Sequence, residues 1–497
     1  MTTERLVVDL AARRLGGMVL AASDEFFAPK ERLLEPGAPR FDAGRYTDRG
    51  KWMDGWETRR RRGPGHDWAL VRLGLPGMVR AVTVDTTHFR GNHPAACSLD
   101  GVAAEPDRDV EPLLDRGASW VELLPRTPLE PDREQRLDVQ AQVRVTHVRL
   151  RIYPDGGVAR LRVLGEPLPD LRRLTGAGDH LDLAAAANGA EVVACSDMSL
   201  AAAGNLLLPG DAVDMGDGWE TGRRRGPGHD WAVVRLATEG TIERVEVGTT
   251  HYKGNYPDRC EVEACADQAA GPGQPPSAAG DGWWTVVPPS PLGPHRNHVF
   301  AAADGRAATH VRLAIHPDGG VSRLRVFGKV SDRGWRQWGL RWLNSLPPEQ
   351  AESELLACCG SREWAARMAA ERPFTGADAL ASSADEIWER LGPDDWLEAF
   401  AAHPRIGERS GSSWSEQEQA GVRASDAAVL AALAEGNQAY ERRFGHVFLI
   451  RASGRPAAEL LGELRRRLDN DPEAELRIAA EEQRKITRLR LERLFRP

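Results

Sequence analysis

The first two thirds of the chain alternate apolar and polar residues, whereas the last third repeats its apolar residues every three or four positions. Alternation predicts half-buried β-strands, and the longer period predicts amphipathic helices. The β segments include WALVRLG, MVRAVTVDTTHF and THVRLRIYP, and turn clusters such as RGNHP and PDGG separate them. Many short strands at this spacing favour jelly-roll sandwiches. From Pro347 onward, segments such as DDWLEAFAA and AAVLAALAEGNQAYERRF predict helices.

The β part of the sequence is duplicated. Residues 54–68 are DGWETRRRRGPGHDW and residues 217–231 are DGWETGRRRGPGHDW, so fourteen of fifteen positions are identical. The one difference replaces Arg59 by Gly222. A repeat of this fidelity indicates two copies of one structural unit.

The two copies differ in length at one place. They are offset by 173 residues at Asp9 and Asp182 but by 163 at His66 and His229, so repeat one contains ten extra residues. We assign these to a loop within residues 35–50.

The predicted fold is two tandem all-β jelly-roll sandwiches followed by an all-α helical domain. The predicted boundaries are residues 1–170 for repeat one, 171–330 for repeat two and 335–497 for the helical domain.

Composition and charge limit the kinds of molecule that the protein is expected to bind. The formal net charge of -8 argues against nucleic acid. No apolar run approaches the roughly 20 residues that a membrane helix needs. The six cysteines form no C-x-x-C pair, and the N-terminal segment has a counterpart in repeat two, which argues against a cleaved leader. We expect a cytoplasmic protein that forms a homo-oligomer and acts on small molecules.

Each copy of the motif concentrates acids, arginines and a histidine beside a Gly-Pro-Gly turn, and THFRGNHP or THYKGNYP follows it. Arginine suits a carboxylate ligand, acids suit proton transfer or the binding of amide NH groups, and histidine titrates near neutral pH. The predicted catalytic residues are Glu57, His66, Glu220 and His229. The predicted substrate-binding residues are Asp54, Arg60, Arg61, Asp67, His88 and Asn92 in repeat one and Asp217, Arg223, Arg224, Asp230, His251 and Asn255 in repeat two.

Two alternatives remain open for these residues. In a purely structural role, the tryptophans Trp56 and Trp68 are core anchors, the arginines form a solvated edge, and His147 and His310 are buried in strands. In a metal site, His66, Asp67 and His88 would be ligands for zinc or manganese, although no compact H-x-H or H-E-x-x-H spacing occurs.

The repeated DGWETRRR…GHDW with TTHF/Y-x-GN-x-P resembles the allantoicase family, and the resemblance covers about residues 5–330. It implies two jelly-roll repeats and the hydrolysis of allantoate to ureidoglycolate and urea. Allantoate suits the predicted chemistry, because it offers one carboxylate to a cation and two ureido groups to acids and amides.

The helical part contains HPRIG at His403, SWSEQEQAG around Ser415 and Glu418, and KITRLRL around Arg490. Histidine has an ordinary pKa near 6.5 and is the natural proton carrier. Pro404 holds the backbone before it extended at the exit of a helix. Taken singly, these features are typical of a helix cap, a capping box and a surface charge.

Together with LNSLP, VFLIRA and ELRRRLDNDPEAE, these motifs resemble 2-oxo-4-hydroxy-4-carboxy-5-ureidoimidazoline (OHCU) decarboxylase over essentially the whole domain. The resemblance implies decarboxylation to (S)-allantoin without a cofactor. It implies that His403 and Glu418 are catalytic, and that the substrate is bound by Ser415, Arg490, Pro404 and the backbone of residues 448–450, which include Ile450.

We therefore expect a bifunctional enzyme of ureide and purine catabolism. A divalent metal in the allantoicase part remains an open alternative. The rival hypothesis is a non-catalytic, ligand-binding jelly-roll pair fused to the decarboxylase, since fold alone does not determine function.

Overall fold

The computed structural model describes residues 8–104, 110–114, 118–175, 180–271, 273–277, 282–302, 304–406, 427–452 and 455–496. The chain divides into two compact units, residues 1–335 and residues 336–496. Within the described ranges, no helix combines the length and apolarity needed to span a membrane.

Repeat one is built around one long strand that begins inside the duplicated motif. Its strands are β1 (Val8–Asp9), β2 (Met18–Ala22), β3 (Tyr46–Thr47), β4 (Gly50–Lys51), β5 (Trp56–Glu57), β6 (Asp67–Asp85), β7 (Ala96–Val102), β8 (Val121–Pro128), β9 (Glu134–Asp138), β10 (Arg144–Tyr153), β11 (Gly157–Val158) and β12 (Arg160–Pro167). Two short helices, α1 (Glu111–Leu114) and α2 (Leu171–Leu174), accompany them.

The long strand β6 has different neighbours along its length. Its first half pairs antiparallel with β2 and β10, and its second half pairs with β9 and β12. On the side of the first half of β6, β10 pairs with β7, and β7 pairs with β8. On the side of the second half, β12 pairs with β1. Because β6 belongs to both sheets, it joins the two layers of a sandwich, and the apolar faces of the layers enclose the core.

Repeat two has the same arrangement around β16. Its strands are β13 (His180–Asp182), β14 (Glu191–Cys195), β15 (Trp219–Glu220), β16 (Asp230–Gly248), β17 (Arg259–Cys265), β18 (Trp284–Pro291), β19 (Asn297–Ala301), β20 (Ala307–His316), β21 (Gly320–Val321) and β22 (Arg323–Val330). Strand β16 pairs with β14 and β20 in one half and with β19 and β22 in the other.

The motif tryptophans that precede the long strands are core residues. Trp56 and Trp219 are completely buried, and the indole Nε1 of each donates to a backbone oxygen at 2.8 Å, of Asp24 and Asp197 respectively. Trp68 is half-buried and packs against a second, smaller cluster of buried apolar residues. The structure therefore confirms Trp56 as a core residue and places Trp68 at the edge of a separate apolar cluster.

The remainder of the described chain is helical. The helices are α3 (Asp332–Ser345), α4 (Pro348–Cys359), α5 (Arg362–Ala370), α6 (Ala377–Glu389), α7 (Pro393–Ala401), α8 (Ala427–Phe444), α9 (Ala457–Arg467) and α10 (Pro472–Leu494). The side chain of Asp471 caps α10 by accepting from the amides of Glu473 and Ala474. Two β-sandwiches followed by helices confirm the predicted fold class.

A buried ion pair ties the last three helices together. Arg467 at the end of α9 donates Nε to Glu475 Oε1 on α10 at 2.8 Å, and both side chains are at most 1% exposed. Tyr440 on α8 donates to the same carboxylate. Arg467 also donates Nη1 to the carbonyl of Leu449 at 2.7 Å, which fixes the irregular segment between α8 and α9.

Candidate active sites

A cavity of about 420 Å³ opens in repeat one beside the duplicated motif. Three of its lining residues are predicted site residues, namely Glu57, His88 and Asn92. The others are Phe27, Phe41, Lys51, Met53, Arg90 and Gly91. The cavity therefore combines apolar walls with a few polar groups, as small-molecule sites usually do.

Glu57 is held in this cavity from both sides. The short strand β5 exchanges backbone hydrogen bonds with Ala28 and pairs with Gly157 on β11. A Cβ atom at Gly157 would lie 2.0 Å from the ring of Phe89, so glycine is required for this approach. Asn92 Nδ2 donates to Glu57 Oε1 at 2.6 Å. Burial raises the pKa of the Glu57 carboxyl, and the bond from Asn92 opposes this without cancelling it.

His88 occupies the cavity wall with a left-handed backbone, at φ 72°. Its amide donates to Asp132 Oδ1 at 2.8 Å, and Arg90 Nε donates to Asp132 Oδ2 at 2.9 Å. The ring Nε2 lies 3.4 Å from the carbonyl oxygen of Pro39, and the ring packs 5.3 Å from that of Phe41. A non-glycine residue in this conformation is costly, and such strain concentrates at functional sites.

Asp54, also predicted to bind substrate, instead supports the cavity from behind. Its Oδ2 accepts from Nη2 of the buried Arg160 at 2.8 Å and from the amide of Arg40 at 2.9 Å. Partial burial acts to raise the pKa of Asp54, but these two bonds together lower it below its ordinary value. The carboxylate therefore remains charged and joins the loop to β12.

Asp67 and the motif arginines also lie outside the cavity lining. Ser23 Oγ donates to Asp67 Oδ1 at 3.0 Å, and Arg61 Nη1 lies 3.6 Å from the same oxygen. The backbone amide of Arg61 donates to Asp155 at 2.8 Å, while Arg60 is exposed. These contacts hold the start of β6 against the loops around it.

His66 packs against Tyr153, with the ring centres 5.0 Å apart, and is not among the cavity-lining residues. Burial lowers the pKa of His66, and the charges of Arg151 and Arg61 lower it further. The structure thus keeps this imidazole neutral and separates it from Glu57, His88 and Asn92.

In repeat two the same polar pair forms at the same distance. Asn255 Nδ2 donates to Glu220 Oε1 at 2.6 Å, and its other contact is the sulfur of Met215 at 3.9 Å. His251 has the same left-handed backbone, at φ 73°, but its Nε2 lies only 2.8 Å from the carbonyl oxygen of Ala212. The loop that contains Ala212 and Met215 thus contacts the side chains of both His251 and Asn255.

The remaining predicted residues of repeat two resemble their counterparts. Asp217 accepts from Arg323 Nη2 at 2.7 Å and from Arg14 Nη1, in repeat one, at 2.9 Å. Asp230 accepts from Ser196 Oγ at 3.0 Å and pairs with Arg224. Two of the predicted residues are exposed, Arg223 and His229.

Sequence reasoning missed the cavity-lining residues that come from outside the motif, which include Phe27, Phe41, Lys51 and Met53. For Phe41 the insertion was the available signal, because loops are a frequent source of binding groups, whereas no signal singled out the other three. Within the described residues, no group of three or more His, Cys, Asp or Glu side chains is arranged to hold a metal ion.

In the helical unit, His403 follows α7 and closes its last turn by donating its amide to Phe400 O at 3.0 Å. Its ring Nδ1 lies 3.5 Å from Nη2 of Arg490, which is 5% exposed on α10. Pro404 follows His403 and is half-buried. The structure therefore brings together the predicted proton carrier and the predicted carboxylate-binding arginine.

The pKa of His403 lies well below the ordinary value of histidine. Burial lowers the pKa of His403 to about 3, and the charge of Arg490 contributes in the same direction. The neighbouring Gln483 acts to raise the pKa of His403, but its effect is smaller. Gln483 Oε1 and His403 Nε2 are both buried, and neither has a hydrogen-bond partner among the described residues. The imidazole is therefore neutral at physiological pH.

Gln483 was missed from the sequence, yet it lies on the same face of α10 as Thr487 and Arg490, at spacings of four and seven residues. Its Nε2 donates to Cys359 O at 3.2 Å and to Thr487 Oγ1 at 3.1 Å. Ile450 is buried at 6% exposure in the segment held by Arg467. Ser415 and Glu418 lie outside the described residues.

Comparison with known proteins agrees with this division of the chain. The family model described as allantoicase repeat matches residues 8–168 and 181–331, and that of OHCU decarboxylase matches residues 344–492. A probable allantoicase of Pseudomonas paraeruginosa is 49% identical over 328 residues, which are 65% of this chain and 96% of that protein.

Two solved structures are similar to separate parts of the chain. Allantoicase from Saccharomyces cerevisiae is 35% identical with a TM-score of 0.54, and the match covers 66% of this chain and 94% of that one. An OHCU decarboxylase crystallised in the presence of (S)-allantoin is 43% identical with a TM-score of 0.26, and the match covers 29% of this chain and 96% of that one. The protein is an enzyme that belongs to the allantoicase family and carries an OHCU decarboxylase domain after its two allantoicase repeats.

Proposed function

We propose that the β unit hydrolyses allantoate to ureidoglycolate and urea, and that the reaction takes place in the cavity of repeat one. The observation that carries this proposal is the buried Glu57 carboxyl, aligned by Asn92 in a cavity that also contains His88. The volume of about 420 Å³ suits a small polar anion.

The raised pKa of Glu57 suits a group that both donates and accepts a proton. In its acid form Glu57 donates a proton to the departing ureido group, which leaves as urea. The resulting carboxylate then accepts a proton from the water that adds at the same carbon. One water is consumed, and the carbon exchanges its C–N bond for a C–O bond. Asn92 keeps the carboxyl oriented, and His88 supplies a ring nitrogen for a ureido hydrogen bond.

Urea release from allantoate by the purified full chain tests the proposal. A Michaelis dependence on allantoate with stoichiometric urea and ureidoglycolate is the expected result. Saturable allantoate binding without urea release would instead support the non-catalytic alternative. Unchanged rates after chelator treatment would argue against a required divalent metal.

We propose further that the helical unit decarboxylates OHCU to (S)-allantoin at His403. The supporting observation is the 3.5 Å contact between His403 Nδ1 and Arg490 Nη2 in a buried site. Arg490 would hold the substrate carboxylate or ring oxygen. Loss of carbon dioxide leaves an electron pair that the conjugated ring of the substrate accepts. The neutral imidazole takes up a proton from the bound substrate and returns it to one face of the ring carbon.

His403→Asn tests this role, because loss of a positioned acid–base group typically costs about 10²- to 10⁴-fold in rate. Formation of (S)-allantoin should fall by that order while urea release from allantoate remains at the parent level. Optical activity is the required measurement, since the product also forms without enzyme as a racemate. A variant that yields enantiopure product at the parent rate would contradict the assignment.

Three wider expectations remain proposals. A fragment of residues 335–497 should fold and decarboxylate OHCU by itself, which activity and circular dichroism would test. A cytoplasmic location is supported by the six cysteines, all of which are free thiols. Light scattering on the purified chain would test the expected homo-oligomer.

A further inference from the structure

We propose that Lys51, which the longer loop of repeat one carries to the cavity, binds the substrate carboxylate and thereby confines hydrolysis to repeat one. This inference rests on the proposed hydrolysis of allantoate. We assign the anion-binding role to Lys51 rather than to the motif arginines, because the Arg61 guanidinium faces Asp67 and Arg60 is exposed outside the cavity lining.

Lys51 lies on a hairpin, β3–β4, that is fixed to the body of the repeat on both sides of it. On one side, Arg49 donates Nη1 to the carbonyl of Phe26 at 2.9 Å and stacks 5.0 Å from its ring. On the other side, Arg32 donates Nη1 to the carbonyl of Met53 at 2.6 Å, and its guanidinium lies 5.0 Å over the Trp52 ring. Lys51 is therefore held at the cavity although its side chain is exposed.

The charge distribution leaves Lys51 available for an anion. Of the two cations that line the cavity, Arg90 is paired with Asp132 at 2.9 Å. Lys51 makes no ion pair with any acid among the described residues, and its Nζ lies 4.4 Å over the ring of Phe41. An aromatic face orients the ammonium group without neutralising it, so a carboxylate can still bind.

Allantoate has one carboxylate on the carbon that also bears its two ureido groups. Lys51 and Glu57 line the same cavity, so a carboxylate bound at Lys51 would keep that carbon within the cavity that contains Glu57 and Asn92. An electrostatic contact that exists before and during the reaction increases substrate affinity more than turnover. Lys51 is therefore a specificity-determining residue.

Repeat two has the opposite charge at this position. Counting back from the two copies of the motif, Lys51 corresponds to Asp214. Asp214 Oδ1 accepts from the amide of Asp217 at 3.1 Å and caps a 3₁₀ turn, Met215–Asp217, in place of the hairpin. An acid at this position repels a carboxylate, and Met215 contacts Asn255.

The first test compares Lys51→Met with Lys253→Met in the full chain. Lys253 is an exposed lysine of repeat two and serves as the matched control. Loss of a hydrogen bond to a charged group should raise the KM for allantoate by roughly 10- to 100-fold with kcat little changed. Lys51→Arg should recover most of the affinity. A Lys51→Met KM within twofold of the parent value would overturn the proposal.

The second test separates this inference from the proposed function. Calorimetric binding of allantoate and of its uncharged carboxamide is measured in a Glu57→Gln chain with and without Lys51→Met. The lysine change should weaken binding of allantoate but not of the carboxamide. Equal weakening of both ligands, or of neither, would contradict a carboxylate contact. Absence of urea release by the parent chain would refute the hydrolysis itself, while the binding comparison would still decide the role of Lys51.

Discussion

Repeat one and repeat two hold the same glutamate–asparagine pair at the same 2.6 Å separation, but the loops around the pair differ. In repeat one the hairpin β3–β4 and Met53 line an open cavity. In repeat two the sulfur of Met215 contacts the asparagine, and a carbonyl oxygen contacts the ring of His251. Duplication has preserved the glutamate–asparagine pair, whereas the loops place different residues beside it.

Individual replacements around the motif show how this difference arises. Met53 corresponds to Gly216, and Phe89, which packs with Met53, corresponds to Tyr252. The Tyr252 hydroxyl donates to Met215 O at 2.6 Å and so holds the loop that contains Met215. A single hydroxyl group thus stabilises a loop conformation that repeat one does not adopt.

The largest expected difference between the repeats concerns the two glutamates. Glu57→Gln removes the group that exchanges protons with substrate and should lower kcat for urea release by about 10²- to 10⁴-fold. Glu220→Gln, the matched change in repeat two, should alter the rate by less than about twofold, since Asp214 stands in repeat two where repeat one has the proposed carboxylate-binding residue Lys51. Steady-state kinetics on both variants provides the comparison.

Equal losses from the two glutamate variants would mean that both repeats are catalytic. Decarboxylation of OHCU should be unaffected in both proteins and serves as the control for folding.

A smaller difference is expected for the asparagines. Asn92→Ala removes the bond that favours the charged form of Glu57, so the pKa of Glu57 should rise further. The alkaline limb of the kcat/KM profile, on which activity is lost as Glu57 gives up its proton, should move to higher pH, and the rate should fall by about 10- to 100-fold. Asn255→Ala should leave the profile in place. A loss of rate in Asn92→Ala without any displacement of the alkaline limb would argue against proton donation by Glu57.

Replacement of Phe41, an aromatic residue of the cavity lining, should have a weaker effect on the binding of allantoate. Phe41→Ala removes the ring beneath Lys51 Nζ and should raise the KM for allantoate by about two- to fivefold, as expected for an exposed cation–π contact. Val213→Ala, at an exposed position of the shorter loop in repeat two, is the matched control. If both variants retain the parent KM, the ring does not help to position the lysine.

The smallest difference is expected in the buried histidines His147 and His310. Burial lowers the pKa of each to about 4, below the ordinary 6.5, so the unfolded chain binds more protons between these values. The free energy of unfolding should therefore fall as pH decreases from 6.5 to about 4. Denaturant titrations of His147→Gln and His310→Gln should show a similarly reduced pH dependence in each. A reduction in only one variant would indicate different environments.

The fold was predictable because local patterns carry it. Alternating residues specified the strands, the three-to-four period specified the helices, and the duplication specified two copies of one sandwich. The sequence also named Glu57, His88 and Asn92, which the structure brings to one cavity, but polar density beside the turn did not separate them from Asp54 and Asp67, whose contacts support the fold.

The sequence could not predict which of these residues would lie together in one site. Residues of one motif are distributed by the direction of each side chain along the strands and turns, so that Asp54, Asp67 and His66 lie away from Glu57 although they are within ten residues of it. The pKa of His403 likewise depends on burial among distant segments, including Gln483 and Arg490 on α10.

The sequence by itself determined the repeat architecture and the families, and it supplied the list of candidate site side chains. The tertiary structure decided which of those side chains share a cavity, and it added Phe41 and Lys51 from a loop without any recognised motif. The physical reason is that backbone periodicity and turn chemistry act locally along the chain. Burial, cavity shape and electrostatic pairing depend instead on groups that meet only when separated segments pack together.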